Sequence, residues 1–555
     1  MLDAHRIPIE ATASAVLERH QPLSQSMLWH IQRQFFEQQG VNAWRQGIVP
    51  QYVTSNPHIA NAYAQIVFGF LRDCAAVRNG SEGAAFPPLD PSQPVHIIEL
   101  GAGSGRFAYH FLKQFTGFFH ASALSDVPVR YVMTDFAQRT VDYWRQHPSL
   151  TPFIAAGLLD IALFDAEAPR ELDLLCSENR LAPGAVKNPL IVIANYVFDG
   201  IPQDSFSIHD GRLHENLISL VSTQSAPDLD APDLLRRIEI SYERRPASAE
   251  YYDDPDFNQI LRVYQERLSD TTFTFPCAGL RCLRFFERLA GGRLMLLSAD
   301  KGYDREESLL GLGDPVLNIH GSFSMMVNQH AIAQYTMLRG GAALQTAYRH
   351  ASLCVAASLF GQPPGGYRET RQAFGEWVAK GGPDDFFTLK KALEGQIADF
   401  SLQQLLAYLR LSGWDASIFL SSCPTFRAHL ETAAPPLRQE LHRAIMQVWN
   451  MYYPIGEDDD VPFHIGMLLQ AMGLYPEALE FYEHSLRLCG PDPSTFYNSG
   501  MCHYSLRQLD AALASIQRAI ELDPSFEAAK ALRIQLQAEV AYRTSQASTD
   551  PARPD

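Results

Sequence analysis

The sequence predicts an α/β domain built on a doubly wound parallel sheet with helices on both faces, followed by an all-α region. Three observations lead there. Short apolar runs alternate with helical segments between residues 95 and 300, a glycine-rich turn joins the first run to its helix, and a helical pattern is duplicated near the C-terminal end. Buried strands alternating with helices are what a helix-covered parallel sheet leaves in a sequence.

Taken in order, Met27, Leu28, Ile31 and Phe35 stand at helical spacing and predict a helix over 24–39. A second helix is expected over 58–74, and a turn-rich break follows at 79–94. The runs 95–100, 129–134, 158–164, 190–194 and 294–298 read as strands, with 106–115 and 140–147 as helices. Residues 222–233 are polar and proline-rich, an insertion or loop. Strand signals fade beyond about 341, and 351–453 reads as mostly helical, interrupted at 361–366 and 381–384. The acidic run 456–460 reads as a linker. The expected organisation is therefore a helical N-terminal segment (1–94), a core (95–350), a helical region (351–455), repeats (456–545) and a disordered tail (546–555).

At 555 residues the chain should hold two or three domains. A hydrophobic fraction of 46% and a charged fraction of 19% are those of a folded globular protein. A formal charge of −17 argues against nucleic acid as a partner, because phosphate affinity depends on Lys and Arg. The eight cysteines include no CxxC pair and read as thiols in a reducing compartment, with no metal site expected. Residues 1–20 mix acids and bases without an apolar core, unlike a signal peptide, and no run reaches the length of a membrane span. A cytoplasmic location is the expectation.

The repeat can be counted. Gly466, Tyr475, Ala478, Leu479, Tyr482, Ser485, Leu486 and Leu488 recur 34 residues later as Gly500, Leu509, Ala512, Leu513, Ile516, Ala519, Ile520 and Leu522. Small residues at 478, 485, 512 and 519 let paired helices approach, and larger ones fill the space between them. This resembles the tetratricopeptide repeat, which implies a protein partner. Two units fall short of a stable stack, so neighbouring helices or the α/β domain should cover the open face.

The most informative segment is Val95-His-Ile-Ile-Glu-Leu-Gly-Ala-Gly-Ser-Gly-Arg-Phe-Ala108. Gly101, Gly103 and Gly105 let the backbone turn sharply and approach a ligand, and the helix start offers free N–H groups. A dinucleotide fingerprint would place Gly or Ala where Arg106 stands, and a phosphate-binding P-loop would need Gly-Lys-Ser/Thr. The remaining pattern, E-x-G-x-G-x-G, is similar to motif I of class I methyltransferases. The resemblance implies a Rossmann-like class I methyltransferase sheet with S-adenosylmethionine as cofactor. It also implies that Asp135, ending the second strand, takes the ribose hydroxyls, and that Asp165, after the third, meets the adenine amino group. Glu99, Asp135 and Asp165 would then lie at three successive strand ends, where such sheets bind ligands.

The fourth strand and its exit, Ile191-Val-Ile-Ala-Asn-Tyr-Val-Phe-Asp-Gly-Ile-Pro202, resemble the MidA-like methyltransferase family. That family includes the protein-arginine methyltransferase of mitochondrial complex I assembly. Its pattern there is roughly Asn-Glu-x-x-Asp-Ala-Leu-Pro. Asn195, Asp199 and Pro202 match, and Tyr196 replaces the acid. Weaker matches follow in order at 52–60, 213–215, 298–303 and 320–327, so the resemblance spans about 47–333. It implies Asn195 in the cofactor site.

An arginine acceptor must be held and made nucleophilic, and carboxylates do both through paired hydrogen bonds. Asp199 leads as the catalytic acid, followed by Glu215 and Asp204. His320 and His330 read as structural. Three functional readings result. One is a methyltransferase acting on a protein substrate recruited by the repeats, arginine being one acceptor. A second is a non-enzymatic assembly protein whose cofactor domain is a relic or a sensor. A third is methylation of a small molecule.

Overall fold

The computed structural model describes residues 15–76, 88–229, 231, 233–362 and 365–549. Residues 1–14, most of the 79–94 break and the end of the expected tail lie outside them. Two compact units divide the chain, 1–389 and 390–555.

The first unit is organised by a seven-stranded sheet. Its strands are β1 (Val95–Leu100), β2 (Val129–Asp135), β3 (Leu159–Leu163), β4 (Leu190–Asn195), β5 (Leu294–Asp300), β6 (Ala342–Leu344) and β7 (Cys354–Leu359). They stand in the order β6-β7-β5-β4-β1-β2-β3. β1 to β5 are parallel, and β7 runs antiparallel to both β5 and β6. The chain moves outward from β1 to β3 and then returns to add β4 on the other side. Such a reversal leaves a crevice at the carboxyl ends of β1 and β4. Register pairs Leu100 with Ala194 and Asp135 with Leu163, so the exits of four strands share one edge. β1 and β5 are buried at every residue, which is why apolar residues dominate both, His96, Glu99, Ser298 and Asp300 being the exceptions.

β7 corrects the expectation of helix from 351 onward and of a boundary at 350. It is a buried six-residue strand in the main sheet. A run that short has no periodicity with which to separate strand from buried helix.

Four helices place the site. α1 (Met27–Gln39) starts where Ser26 Oγ accepts the Leu28 N–H and stops at Gly40. α2 (Pro57–Ala75) is capped by Asn56, which accepts from His58 and Ile59, with Pro57 fixing its first turn. α3 (Arg106–Phe119) leaves the glycine turn, and α4 (Gln138–Gln146) follows β2.

A five-stranded antiparallel sheet forms a second layer that the alternation pattern did not predict. Its long strand Arg212–Ser222 pairs with Ala15–Pro22, Asp204–His209 and Ile238–Pro246. The strand Ala15–Pro22 shows that the N-terminal segment is not wholly helical. Asp210 and Gly211, at φ +48° and +71°, make the two-residue hairpin.

In the second unit, α5 (Val461–Ala471), α6 (Tyr475–Leu488), α7 (Pro493–Ser505) and α8 (Leu509–Leu522) form the two repeated helix pairs, and α9 (Glu527–Thr549) follows. Ala529, Leu532 and Leu536 of α9 cover one end. At the other, Trp449 of the preceding helix Pro435–Met451 meets Phe481 with ring centroids 5.2 Å apart. The acidic run is more than a linker, because Asp460 caps α5 by accepting the Phe463 N–H at 2.8 Å. All eight cysteines are free, and no helix of the described residues is long and apolar enough to cross a membrane.

Candidate active site

Gly101, Gly103 and Gly105 take φ of +57°, +54° and +81°, values open to glycine at little cost. The turn they make is braced from three sides. Trp144 Nε1 donates to the Gly103 carbonyl at 3.0 Å, and Ser104 Oγ donates to Gln51 Oε1 at 2.8 Å. The Trp44 indole lies so close that a Cβ on Gly103 would meet it at 2.9 Å.

In front of the strand exits lies a cleft of about 1170 Å³, open to solvent. Leu100, Gly101, Asp135, Asp165, Tyr196 and Asp199 line it, so every expected position that faces it comes from the end of β1, β2, β3 or β4. α1 supplies the opposite wall through Trp29, Gln32, Arg33 and Phe36. Gln32 Oε1 and His320 Nδ1, both on cleft-lining residues, are buried without a hydrogen-bond partner. Orphaned polar atoms of this kind fit a polar ligand better than an apolar one.

The acids differ in what they can still do. Asp135 accepts the Ala137 N–H at 2.9 Å and is also held by the Gly103 and Phe136 N–H groups. Burial nevertheless pushes its carboxyl up to about 6. The carboxyl nonetheless lies on the cleft wall at the exit of β2, where it can still accept from a hydroxyl donor. Asp165 is engaged by Arg33, whose Nη1 donates to Oδ2 at 2.8 Å. The same guanidinium lies 4.5 Å over the Phe136 ring.

Past β4, Tyr196 adopts φ +53°, a conformation costly for a non-glycine residue and often kept for function. It turns the chain so that Asp199 follows, buried on the cleft wall. Asp199 N–H donates to Asp300 Oδ1 at 3.4 Å. Burial raises both carboxyls, and for Asp300 the Asp199 charge adds to it, while Lys301 opposes the rise at Asp199. Two carboxyls this close hold one proton more readily than none.

Six expected site residues do not line the cleft. Glu99 points into the core, accepts the Tyr131 hydroxyl at 2.9 Å, and is pushed up to about 8 by burial. Gly103 and Gly105 shape the turn through their positive φ. Asn195 Oδ1 accepts from Tyr63 at 2.9 Å. Glu215 belongs to the antiparallel sheet, where it faces Arg245 in register and accepts from Tyr251 at 2.7 Å, outside the cleft lining. Asp204 likewise accepts from Tyr252, at 2.6 Å, outside the cleft. His330 is structural, bonded to Tyr264 and Gln334. His320, by contrast, lines the cleft, with its basicity lowered by burial. Arg33, Gln32, Trp44 and Lys301 escaped the sequence reading, since nothing local marks a residue whose partner lies far along the chain.

A glycine turn, an acid after β2 and a cleft over the switch point define a class of nucleoside-cofactor domain. Residues 85–343 match the family described as "Putative S-adenosyl-L-methionine-dependent methyltransferase", and residues 493–526 match the tetratricopeptide repeat. S-adenosylmethionine, the cofactor expected from the sequence, is thus the cofactor of the matched family. Among solved structures, an uncharacterised protein from Burkholderia thailandensis is similar at 14% identity and a TM-score of 0.33, covering 59% of this chain and 82% of that one. A second structure from that organism, a methyltransferase-type protein bound to S-adenosyl-homocysteine, covers the same shares at 14% identity and a TM-score of 0.32. A tetratricopeptide protein with an unusual peptide-binding site matches at 18% identity and a TM-score of 0.24, over 31% of this chain and 84% of that one. No curated protein matches.

Proposed function

We propose that the first unit binds S-adenosylmethionine in this cleft and transfers its methyl group to a protein side chain, with the repeats recruiting the substrate. The observation that carries this reading is the convergence of Gly101, Asp135, Asp165 and Asp199 on one cleft at the strand exits. Gly101 would let main chain lie against the cofactor, Asp135 would accept a ribose hydroxyl, and Asp165 would face the adenine. The bound sulfonium supplies an activated methyl, and the chain's own work is to align the acceptor and exclude water. A cationic acceptor such as arginine would pull the raised Asp199 carboxyl back to its charged form and be held by it.

The test is labelled methyl transfer from S-adenosylmethionine to host proteins. Labelling by the full chain should fall at least tenfold in Asp199→Asn with cofactor affinity kept. Undiminished labelling by that variant would remove Asp199 from its role.

A second reading, an assembly protein without turnover, draws on Trp44 over Gly103 and Arg33 on Asp165, which occupy part of the expected cofactor contacts. It expects no labelling of any protein by the wild-type chain.

A further inference from the structure

Away from the cleft residues, Asp304, His350 and Cys354 each offer one ligand atom, and the three atoms lie within 4.8 Å of one another. Asp304 follows β5, His350 sits in the segment entering β7, and Cys354 begins β7. All three are enclosed: Asp304 and Cys354 are buried, and the His350 side chain is 9% exposed. His350 Nε2 is 3.2 Å from Asp304 Oδ2 and 3.0 Å from Thr346 Oγ1. Its Nδ1 is buried with no partner at all. A buried imidazole ordinarily has both nitrogens satisfied, and here only Nε2, the nitrogen that faces Asp304, has partners.

Burial weighs most on the Cys354 thiol and raises it, the Asp304, Asp300 and Asp384 carboxyl groups act in the same direction, and Arg305, which lies 3.8 Å from Asp304, opposes them. Arg305 itself is turned partly elsewhere, donating to the Thr346 and Tyr348 carbonyls at 2.8 Å each.

We propose that Asp304, His350 and Cys354 bind a divalent cation of the zinc class, which ties the exit of β5 to the start of β7. Thiolate, imidazole and carboxylate together are a zinc donor set, whereas magnesium and calcium favour oxygen alone. Tetrahedral bonds of about 2.0–2.3 Å place ligand atoms roughly 3.3–3.8 Å apart, so the widest separation in the cluster closes by at most about 1.5 Å on binding. The thiol gives up its proton to solvent as sulfur bonds the metal, and water completes the shell. The tie steadies the turn that carries Lys301 into the cleft and Asp300 against Asp199. This inference does not depend on the methyl donor.

The experiment uses the full chain, stripped with chelator and reloaded with zinc or cobalt. Gel-filtered protein should retain about one equivalent of zinc. Its cobalt form should show a near-ultraviolet thiolate charge-transfer band, unchanged in Cys176→Ser and Cys489→Ser, the two exposed cysteines. Cys354→Ser should lose the band, and His350→Ala should weaken zinc binding at least tenfold. Should Cys354→Ser fail to fold, the wild-type spectrum and the two exposed-cysteine variants decide. Absence of stoichiometric metal, a cobalt form without the thiolate band, or a band that survives Cys354→Ser would overturn the proposal.

Discussion

Arg33 Nη1 lies 2.8 Å from Asp165 Oδ2, so a residue of the first long helix holds the acid that follows the third strand of the main sheet. If adenine also uses Asp165, the two compete. The pair is partly exposed, at 29% and 22% of its side chains, and worth at most about 1 kcal/mol. Arg33→Ala should therefore tighten S-adenosylmethionine binding by about two- to fivefold, measured by calorimetry. A tenfold weakening would instead make Arg33 a ligand contact.

Gly103 serves the turn through both its backbone and its missing side chain. Gly103→Ala faces a positive φ and the Trp44 ring at 2.9 Å, and should cost about 2–4 kcal/mol of unfolding free energy. Adding Trp44→Ala should return only the steric part. Full recovery in the double variant would show that the backbone conformation carries no strain.

Glu99 predicts a pH dependence of stability. Its carboxyl ionises near 4.5 when unfolded and near 8 when folded, so the folded state keeps a proton that the unfolded state has lost. Stability then falls as pH rises through that window and levels off above it. Glu99→Gln stays neutral and can still accept from Tyr131. It should match wild type near pH 4.5 and exceed it by at least ~1 kcal/mol at pH 8.5, by chemical denaturation. A constant difference across that range would contradict the assignment.

The repeats offer a graded comparison. A Cβ on Gly466 would meet the Tyr482 ring at 2.6 Å, and one on Gly500 would meet Ile516 Cδ1 at 2.6 Å. Both alanine variants should lower the melting temperature, each by about 1–3 kcal/mol in free energy. Gly466→Ala should cost more, because a ring cannot swing aside as a terminal methyl can.

What could be read in the sequence follows from physical range. β1, β4 and β5 announced themselves because burial on both faces makes most of their residues apolar, and the glycine turn because positive φ demands those residues. The repeat was countable because each helix pair needs its glycine. The antiparallel sheet was missed although Asp210-Gly211 is a hairpin signal. Motif spacing gave the turn but not the facing of its side chains, so Glu99 and Asn195 turned out to pack inward. Arg33 and Asp165 stand 132 positions apart, and the triad of Asp304, His350 and Cys354 has no local metal spacing. Tertiary juxtaposition alone makes them neighbours.

The central claim is that the cleft beside Gly101 and Asp135 is a methyl-donor site. Calorimetric titration of the full chain with S-adenosyl-homocysteine tests it directly. The account predicts one site per chain, lost in Asp135→Asn. It also predicts affinity that falls by up to about tenfold per pH unit below about 6, where Asp135 takes up a proton and stops accepting. No heat of binding at millimolar ligand, or binding indifferent to Asp135 and to pH, would contradict it.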